Sequence, residues 1–313
     1  MAAAALLGCL RVLDAQTPSP SWNVPVAETL PAGAWKETVL YGRALFSETF
    51  RLIGPEVRDP SVRYAGNNLS CQSCHLQAGT QRYGMPLIGV YGLFPMYLAR
   101  ENGVRTIEDR IQGCMERSMN GRPLRVEGQE MKALVAYLQF LSTSVPAGTS
   151  VDGRGTPALP LLDRAASPSR GAEVYTARCG LCHQADGQGV RKGRHGDAAG
   201  YLYPPLWGPD SFNDGAGMHR LIASASFIHA NMPLGTPHQA AVLSVEDAWD
   251  VAAYINTQPR PARDQLDLDY PDRARKPVDA PFPPFLDAFP MTQHQLGPFR
   301  PILDARDVQR NAR

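Results

Sequence analysis

Two Cys-x-x-Cys-His motifs constrain this chain more than any other feature. They occupy residues 71–75 and 179–183. In c-type haem attachment the two thiols of this motif bond the haem covalently, and the adjacent histidine ligates its iron. The sequence therefore predicts two covalently bound haem c groups. Their expected attachment residues are Cys71, Cys74 and His75 for the first, and Cys179, Cys182 and His183 for the second.

Two other kinds of site use Cys-x-x-Cys pairs. Paired motifs of this type can build a zinc ribbon, and single pairs can act as redox thiols. Here Cys71 and Cys179 are 108 positions apart, and a histidine follows the second cysteine of each motif. This spacing favours two haem sites over a shared zinc site or two thiol pairs.

The composition excludes several classes of protein. Charged residues make up only 19% of the 313 residues, which is too few for a coiled coil or a charged solvated chain. The formal charge of +1 lacks the basic excess of a nucleic-acid-binding protein. No apolar run reaches the ~18 residues needed to cross a bilayer. We therefore expect neither a nucleic-acid partner nor a transmembrane span.

The two halves of the chain repeat one plan of helix, haem motif, irregular loops and helix. Helical patterns cover residues 37–53 and 127–142 in the first half, and residues 169–179 and 244–256 in the second. We predict a mainly α fold of two tandem class I cytochrome c-like domains, each with one covalently bound haem. An extended Pro-rich C-terminal strap is expected to pack over both domains.

Composition shifts suggest the domain boundaries. Residues 21–145 and 169–258 are the predicted cytochrome c domains, and each carries one of the two haem motifs. Residues 146–168 are a Pro/Gly-rich linker, and residues 259–313 form the wrapping tail.

Covalent haem attachment takes place outside the cytoplasmic membrane, so we expect an exported, periplasmic protein. Residues 1–20 are interpreted as the export segment, either complete or cut short, because their apolar run is brief and no basic region precedes it. Cys9 is either a lipidated residue or part of a segment that is removed.

Each haem iron also needs a distal ligand or an open site. In the second half, Met232-Pro233 is typical of a distal methionine, with His219 and His229 as weaker alternatives. Ligation by histidine and methionine raises the haem potential, which suits an electron acceptor. In the first half, Met85-Pro86 follows His75 by only ten residues, which is early for such a ligand.

A helix predicted over residues 106–121 offers another ligand for the first half. Arg110, Cys114, Arg117 and Ser118 share one of its faces. Nearby cations favour the thiolate form of cysteine, which binds metals. A thiolate on the iron would lower the potential of this haem below that of a His/Met haem. The alternative is a buried structural cysteine, and spacing alone leaves both open.

The stretch 83–123, residues 231–235 and the Pro-rich C-terminal segment resemble the dihaem thiosulfate dehydrogenase family. The most specific part is Gly-Cys-x-x-Arg-Ser-x-Asn-Gly at residues 113–121. The resemblance extends over nearly the whole chain after about residue 35. It implies ligation by His75 and Cys114 at the catalytic haem, and by His183 and Met232 at the transfer haem. Some relatives carry a lysine before the distal methionine and exchange ligands; Asn231 argues against such a switch here.

The resemblance also implies a reaction. Members of this family couple two thiosulfates into tetrathionate with release of two electrons, and some run the reverse reaction well. Because thiosulfate is a dianion, the site requires cationic groups. By the family motif, Arg100 and Arg110 hold the substrate and Ser118 adds a hydroxyl donor. Gln77 is a further candidate donor.

Arg117 is expected instead to pair with a haem propionate or to stabilise the structure. In the mechanism we hypothesise, the sulfur of Cys114 bonds the outer sulfur of one thiosulfate, and a second thiosulfate displaces it as tetrathionate. A soluble acceptor, such as a small cytochrome c or a blue-copper protein, collects the electrons.

Two other functions remain open at this point. A dihaem electron-transfer cytochrome without its own substrate would explain both haems but gives no role to the Arg/Cys face. A haem subunit of a sulfur-oxidising complex would require a partner protein with a cysteine arm. A dihaem peroxidase is disfavoured because it would need an open or histidine-switched iron.

Overall fold

The computed structural model describes residues 21–311, so the predicted export segment and Cys9 lie outside the described residues. Helices dominate the described chain. Among these residues, no helix is both long enough and apolar enough to cross a membrane.

Eleven α-helical segments occur between residues 21 and 311. Those of the first half are α1 (Ala34–Ser47), α2 (Thr49–Leu52), α3 (Leu76–Gly79), α4 (Ile107–Arg117) and α5 (Gln129–Leu141). Those of the second half are α6 (Pro168–Arg178), α7 (Gly180–His183), α8 (Leu221–Asn231) and α9 (Val245–Asn256). The tail contributes α10 (Met291–Leu296) and α11 (Arg300–Asn311).

Each half also contains a small antiparallel hairpin that the sequence analysis did not predict. Strand β1 (Met96–Leu98) pairs with β2 (Gly103–Arg105), and β3 (Val190–Arg191) pairs with β4 (Tyr201–Tyr203). These strands are two or three residues long, which is too short for a period-two pattern to be recognised in a sequence.

The helix boundaries follow local signals in most places. Thr106 and Asp109 form the expected reciprocal capping box at the start of α4. The helix predicted over 37–53 is interrupted at Glu48 and continues as α2. Just after the interruption, Thr49 Oγ1 accepts a hydrogen bond from the Cys71 backbone N–H at 3.2 Å. This hydrogen bond connects the start of α2 to the first haem motif.

The first and last helices of each half cross at a glycine. A Cβ on Gly42 in α1 would lie 1.9 Å from the carbonyl oxygen of Ala133 and 2.8 Å from the Cβ of Tyr137 in α5. A Cβ on Gly171 in α6 would lie 1.9 Å from the carbonyl oxygen of Asp250 and 2.8 Å from the Cβ of Tyr254 in α9. The two crossings are equivalent, which explains why Ala-Tyr segments occupy matching positions in the two halves.

A Gly171→Ala variant tests this crossing. The added methyl group would meet backbone, which cannot move aside as a flexible side chain can, so we expect a loss of stability of about 1–3 kcal/mol or more. The measurement is urea unfolding of the holoprotein followed by circular dichroism. Gly217→Ala is the matched control, because a Cβ there would meet nothing within 4 Å. Equal midpoints for the two variants would contradict the close crossing.

Buried polar side chains join the two halves. Asn67 is fully buried, and its Nδ2 donates to the carbonyls of Ser118 at 3.0 Å and Ser211 at 3.1 Å. The Asp210 carboxylate accepts a hydrogen bond from the backbone N–H of Asn68 at 2.9 Å. The halves therefore meet through hydrogen bonds that start immediately before the first haem motif.

The segment predicted as a linker lies against the first half. Its Gly153 carbonyl accepts from the Tyr83 N–H at 2.7 Å, and its Gly155 carbonyl accepts from the Met85 N–H at 3.1 Å. Val151 is buried in the first core. The linker thus supports the loop that follows the first haem motif.

The C-terminal tail contacts both halves, but it is extended only in part. Its Tyr270 N–H donates to the Arg100 carbonyl of the first half at 2.8 Å. Its Phe299 ring lies 5.9 Å from that of Trp249 in the second half. Beyond Pro301 no proline or glycine remains to residue 311, so the end of the tail forms α11 rather than extended chain.

Candidate functional site

The histidine of the first motif is held in the orientation that metal binding requires. His75 Nδ1 donates to the carbonyl oxygen of Met85 at 2.6 Å. Because a carbonyl only accepts, Nδ1 carries the proton and Nε2 keeps a lone pair for a metal. Burial lowers the pKa of His75 to about 4, so the ring is neutral at physiological pH.

The histidine of the second motif has the same arrangement. His183 Nδ1 donates to the carbonyl oxygen of Pro204 at 2.8 Å, and burial lowers the pKa of the ring. The sequence analysis considered Met85 only as an early ligand candidate and did not identify Pro204. Both residues precede a proline, and an X-Pro pair shortly after each motif was the available signal.

Cys114 lies within electrostatic range of the thiols of the first motif. Burial raises the pKa of the Cys71 thiol to about 11 and that of Cys74 to about 12, and the Cys114 thiol adds to both increases. Such an effect requires short distances, because Coulomb energy falls with separation. The fold therefore brings Cys114 towards the first haem motif, although it follows Cys74 by 40 positions in the sequence.

Arg110 belongs to the same cluster. Its pKa is raised most by the charge of Cys114, and its own charge contributes to the low pKa of His75. Arg110 is an exposed residue and forms no ion pair among the described residues. His75, Cys114 and Arg110 thus form one group, as the face of α4 predicts.

Arg100 and Arg117 have a carboxylate partner that the sequence analysis did not find. Arg117 binds both carboxylate oxygens of Asp269, with Nη2 to Oδ1 at 2.8 Å and Nη1 to Oδ2 at 3.0 Å. Arg100 Nη1 donates to Oδ2 of the same carboxylate at 2.5 Å. The observed partner of Arg117 is thus a carboxylate of the tail, which the sequence analysis did not include among its expected partners. It also ties the predicted substrate residue Arg100 to the tail.

The other two candidate substrate residues lie at different depths. Ser118 follows the last residue of α4 and is half-buried, with its carbonyl bound by Asn67. Gln77 is exposed, two residues past His75, and has left-handed backbone with φ of +52°. Gln77 lies beside the first motif by chain connection, whereas Ser118 is linked through its carbonyl to Asn67, four residues before the motif.

One cavity connects the second haem motif with the first. It encloses about 1120 Å³ of empty space, including solvent at its mouth. Its lining includes Cys179, Cys182, His183 and Met232 from the second half and Cys74 from the first. His183 and Met232 therefore line the same cavity.

The alternative ligand His219 does not fit. Its Nδ1 lies 2.8 Å from the carbonyl oxygen of Asp214, and its Nε2 lies 3.2 Å from that of Asn256. A backbone carbonyl oxygen lies against each ring nitrogen, so neither nitrogen is open to iron. Met232 is the better candidate for the sixth position.

Asn231 fixes the chain immediately before Met232. It is buried, and its Oδ1 accepts from Gln81 Nε2 at 2.9 Å while its Nδ2 donates to the Tyr83 carbonyl at 3.1 Å. Gln81 and Tyr83 lie in the loop between His75 and Met85. Asn231, at the position of the lysine discussed above, therefore connects the two halves through hydrogen bonds.

Two features of the protein fit a bulky anionic haem. Arg260 lies 4.5 Å from the ring of Phe212, which lines the cavity, and its Nε and Nη1 are buried with no hydrogen-bond partner among the described residues. Unpaired buried donors are costly, and a haem propionate would satisfy them. At the first motif, Nε2 of His75 is left for the iron because Nδ1 donates to the Met85 carbonyl. The residues present fit one haem at each motif.

Comparison with protein families divides the chain as the two motifs do. Residues 63–147 match the SoxA/TsdA cytochrome c domain, and residues 168–259 match the cytochrome c family. These matches confirm a mainly helical fold of two cytochrome c domains and two covalently bound haem c groups.

The chain is also similar to characterised proteins over most of its length. It is 42% identical over 267 residues to the thiosulfate dehydrogenase of Allochromatium vinosum, covering 83% of this chain and 93% of that protein. It is 40% identical over 242 residues to that of Stutzerimonas stutzeri, covering 77% and 74%.

A solved structure is also similar. That of thiosulfate dehydrogenase (TsdBA) from Marichromatium purpuratum matches at a TM-score of 0.69 and 37% identity over 77% of this chain. The match covers 50% of that protein, so the present chain corresponds to half its length.

Proposed function

Because this chain belongs to the thiosulfate dehydrogenase family of c-type cytochromes, we propose that it oxidises two thiosulfates to tetrathionate at the first haem motif. His75 and Cys114 would hold the catalytic haem there, while His183 and Met232 would hold the electron-transfer haem. When bound, each haem supplies a one-electron acceptor, so two haems match the two electrons released per tetrathionate.

The observation that carries this proposal is the grouping of His75, Cys114 and Arg110. A haem that only transfers electrons has no use for a sulfur nucleophile beside an exposed guanidinium. Arginine binds oxyanions through paired N–H donors, and the sulfonate end of thiosulfate offers such oxygens. Arg110 would thus orient the substrate so that its outer sulfur approaches the sulfur of Cys114.

The chemistry balances with Cys114 as the reacting residue. Its thiolate and the outer sulfur of the first thiosulfate form an S–S bond, and two electrons leave the sulfur pair. The outer sulfur of a second thiosulfate then attacks the outer sulfur of the adduct. This step releases tetrathionate and restores the Cys114 thiolate without further oxidation.

The electrons would move from the first site to the second and then to an external acceptor. Cys74 and Cys182 line the same cavity, which supports a direct route between the haems attached to them. Ligation by histidine and methionine raises a haem's potential, so the second site is the lower-energy destination for the electrons. The proposed acceptor is a small cytochrome c or a blue-copper protein, and the expected covalent attachment of haem outside the cytoplasmic membrane supports a periplasmic location.

The direct experiment mixes oxidised holoprotein with thiosulfate in the absence of any other protein. We expect both haems to become reduced, with one tetrathionate formed per two haems. Sulfate is the control, because it is also a dianion but lacks an oxidisable outer sulfur. Reduction that needs an added cysteine-bearing protein would instead indicate a haem subunit of a sulfur-oxidising complex. No reduction under either condition would leave only an electron-transfer cytochrome.

A further inference from the structure

The C-terminal tail places two buried side chains among the arginines of the first half. Asp269 and Tyr270 are only 6% and 5% exposed. Both lie beyond residue 259, where the second cytochrome c match ends. The tail therefore adds residues to the candidate substrate site that belong to neither cytochrome c domain.

Asp269 joins Arg100 and Arg117 into one ion cluster. Arg117 binds both of its carboxylate oxygens, and Arg100 uses Nη1 alone, which also donates to the Gly215 carbonyl at 3.2 Å. An arginine carries five N–H donors, so Nε and Nη2 of Arg100 remain for another acceptor. Without Asp269, two partly buried guanidinium groups would repel each other, and Arg100 would lose its only ionic anchor among the described residues.

Tyr270 holds the same arginine from its other side. The Arg100 guanidinium lies 5.1 Å from the centroid of the Tyr270 ring, and the Tyr270 N–H donates to the Arg100 carbonyl at 2.8 Å. Tyr270 thus holds Arg100 through both its ring and its backbone, and the tail contacts one of the two arginines predicted to bind substrate.

The backbone of this turn is held in a conformation that it would not adopt by itself. Tyr270 has φ of +58°, in the left-handed region that a bulky residue rarely occupies. Arg273 Nη1 donates to the carbonyls of Asp269 at 2.5 Å and Tyr270 at 2.8 Å. Because the Arg273 hydrogen bonds maintain this strained backbone, we infer that the positions of Asp269 and Tyr270 matter for the protein.

The ion cluster keeps a positive charge after pairing. Arg100 and Arg117 share the one carboxylate of Asp269, so two guanidinium groups are paired with a single negative charge. Asp269 thus reduces the repulsion among the arginines without cancelling the attraction for an anion.

We propose that Asp269 is a positioning residue of the thiosulfate site, holding Arg100 so that its free N–H donors face the bound dianion. This inference rests on the proposed function. It gives the tail a role in catalysis, because the site is incomplete until residues 269 and 270 are in place.

The test compares Asp269→Asn with Asp269→Glu. Asparagine keeps the shape but removes the charge that anchors both arginines. We expect KM for thiosulfate to rise about tenfold with kcat within a factor of two, as for loss of uniform binding, and glutamate to restore part of the affinity. Calorimetry of thiosulfate binding to the reduced holoprotein gives an affinity that does not depend on turnover, and it should weaken by the same factor.

Asp287→Asn is the matched control. Asp287 is another buried tail carboxylate, but its ion-pair partners His294 and Arg306 lie within the tail. If this variant raises KM as much as Asp269→Asn does, the increase in KM reflects disturbed folding of the tail, and the inference fails.

An unchanged or lower KM in Asp269→Asn would also overturn the inference, because the carboxylate would then have no effect on substrate binding or would compete with the substrate for the arginines. A wild-type protein that binds thiosulfate without oxidising it would contradict the proposed function but not this inference.

Discussion

A Cys114→Gly variant loses thiosulfate oxidation by about 10³-fold or more, while both haems stay attached. The loss is expected because the thiolate is at once the proposed nucleophile and the proposed distal ligand of the first haem. Haem attachment should persist, since it depends on Cys71 and Cys74. Cys114 is only half-buried, so its removal leaves no large cavity in the core. The measurement is single-turnover reduction of the oxidised holoprotein by thiosulfate.

A Cys114→Met variant separates the two roles of the sulfur. Methionine can still ligate iron but cannot act as a thiolate. We expect the potential of the first haem to rise, the thiolate-type electron paramagnetic resonance signal to disappear, and turnover to stay as low as in the glycine variant. Turnover close to wild type would show that Cys114 is not the nucleophile. A thiolate-type signal that survives both substitutions would show that Cys114 is not a ligand.

The second large effect is expected at Met232. Replacing it with histidine should lower the potential of the second haem, because the thioether favours the reduced state relative to a second imidazole. Steady-state turnover with an external acceptor should then fall about 10-fold or more, while the first electron from thiosulfate still enters the protein. Spectroelectrochemical titration of the holoprotein measures the potential, and stopped-flow absorbance follows each haem.

Met218→Leu is the control for the Met232 variant. Met218 lines the same cavity and carries the same thioether, so its substitution changes packing by a similar amount. We expect no change in either potential. A fall in potential for Met218→Leu, with no change for Met232→His, would reassign the distal ligand.

Local patterns predicted the elements of the fold well. The two haem motifs, the helices at both ends of each half and the Thr106 cap of α4 are properties of neighbouring residues, so they are visible in the sequence. The boundaries were less accurate where distant residues intervene. The helix predicted over 37–53 is interrupted at Glu48, and the next residue, Thr49, accepts a hydrogen bond from the Cys71 backbone N–H.

Contacts between distant segments explain what was missed. The carbonyls of Met85 and Pro204, which orient the two histidines, are backbone atoms that carry no side-chain signal. Arg100 was expected from its family motif to hold substrate, but nothing in that motif indicates a carboxylate 169 positions away in the tail.

The sequence by itself determined the chemistry of this protein: two covalent haem sites, their proximal histidines and a cysteine flanked by arginines, since short motifs define these groups. Only the tertiary structure decided how they are arranged. It brought Cys114 towards the first motif and placed a backbone carbonyl against each ring nitrogen of His219. It also fixed the chain before Met232 through the hydrogen bonds of Asn231, and it paired Asp269 with two arginines. The physical reason is that ligation, ion pairing and burial depend on distances in space, which chain separation does not specify.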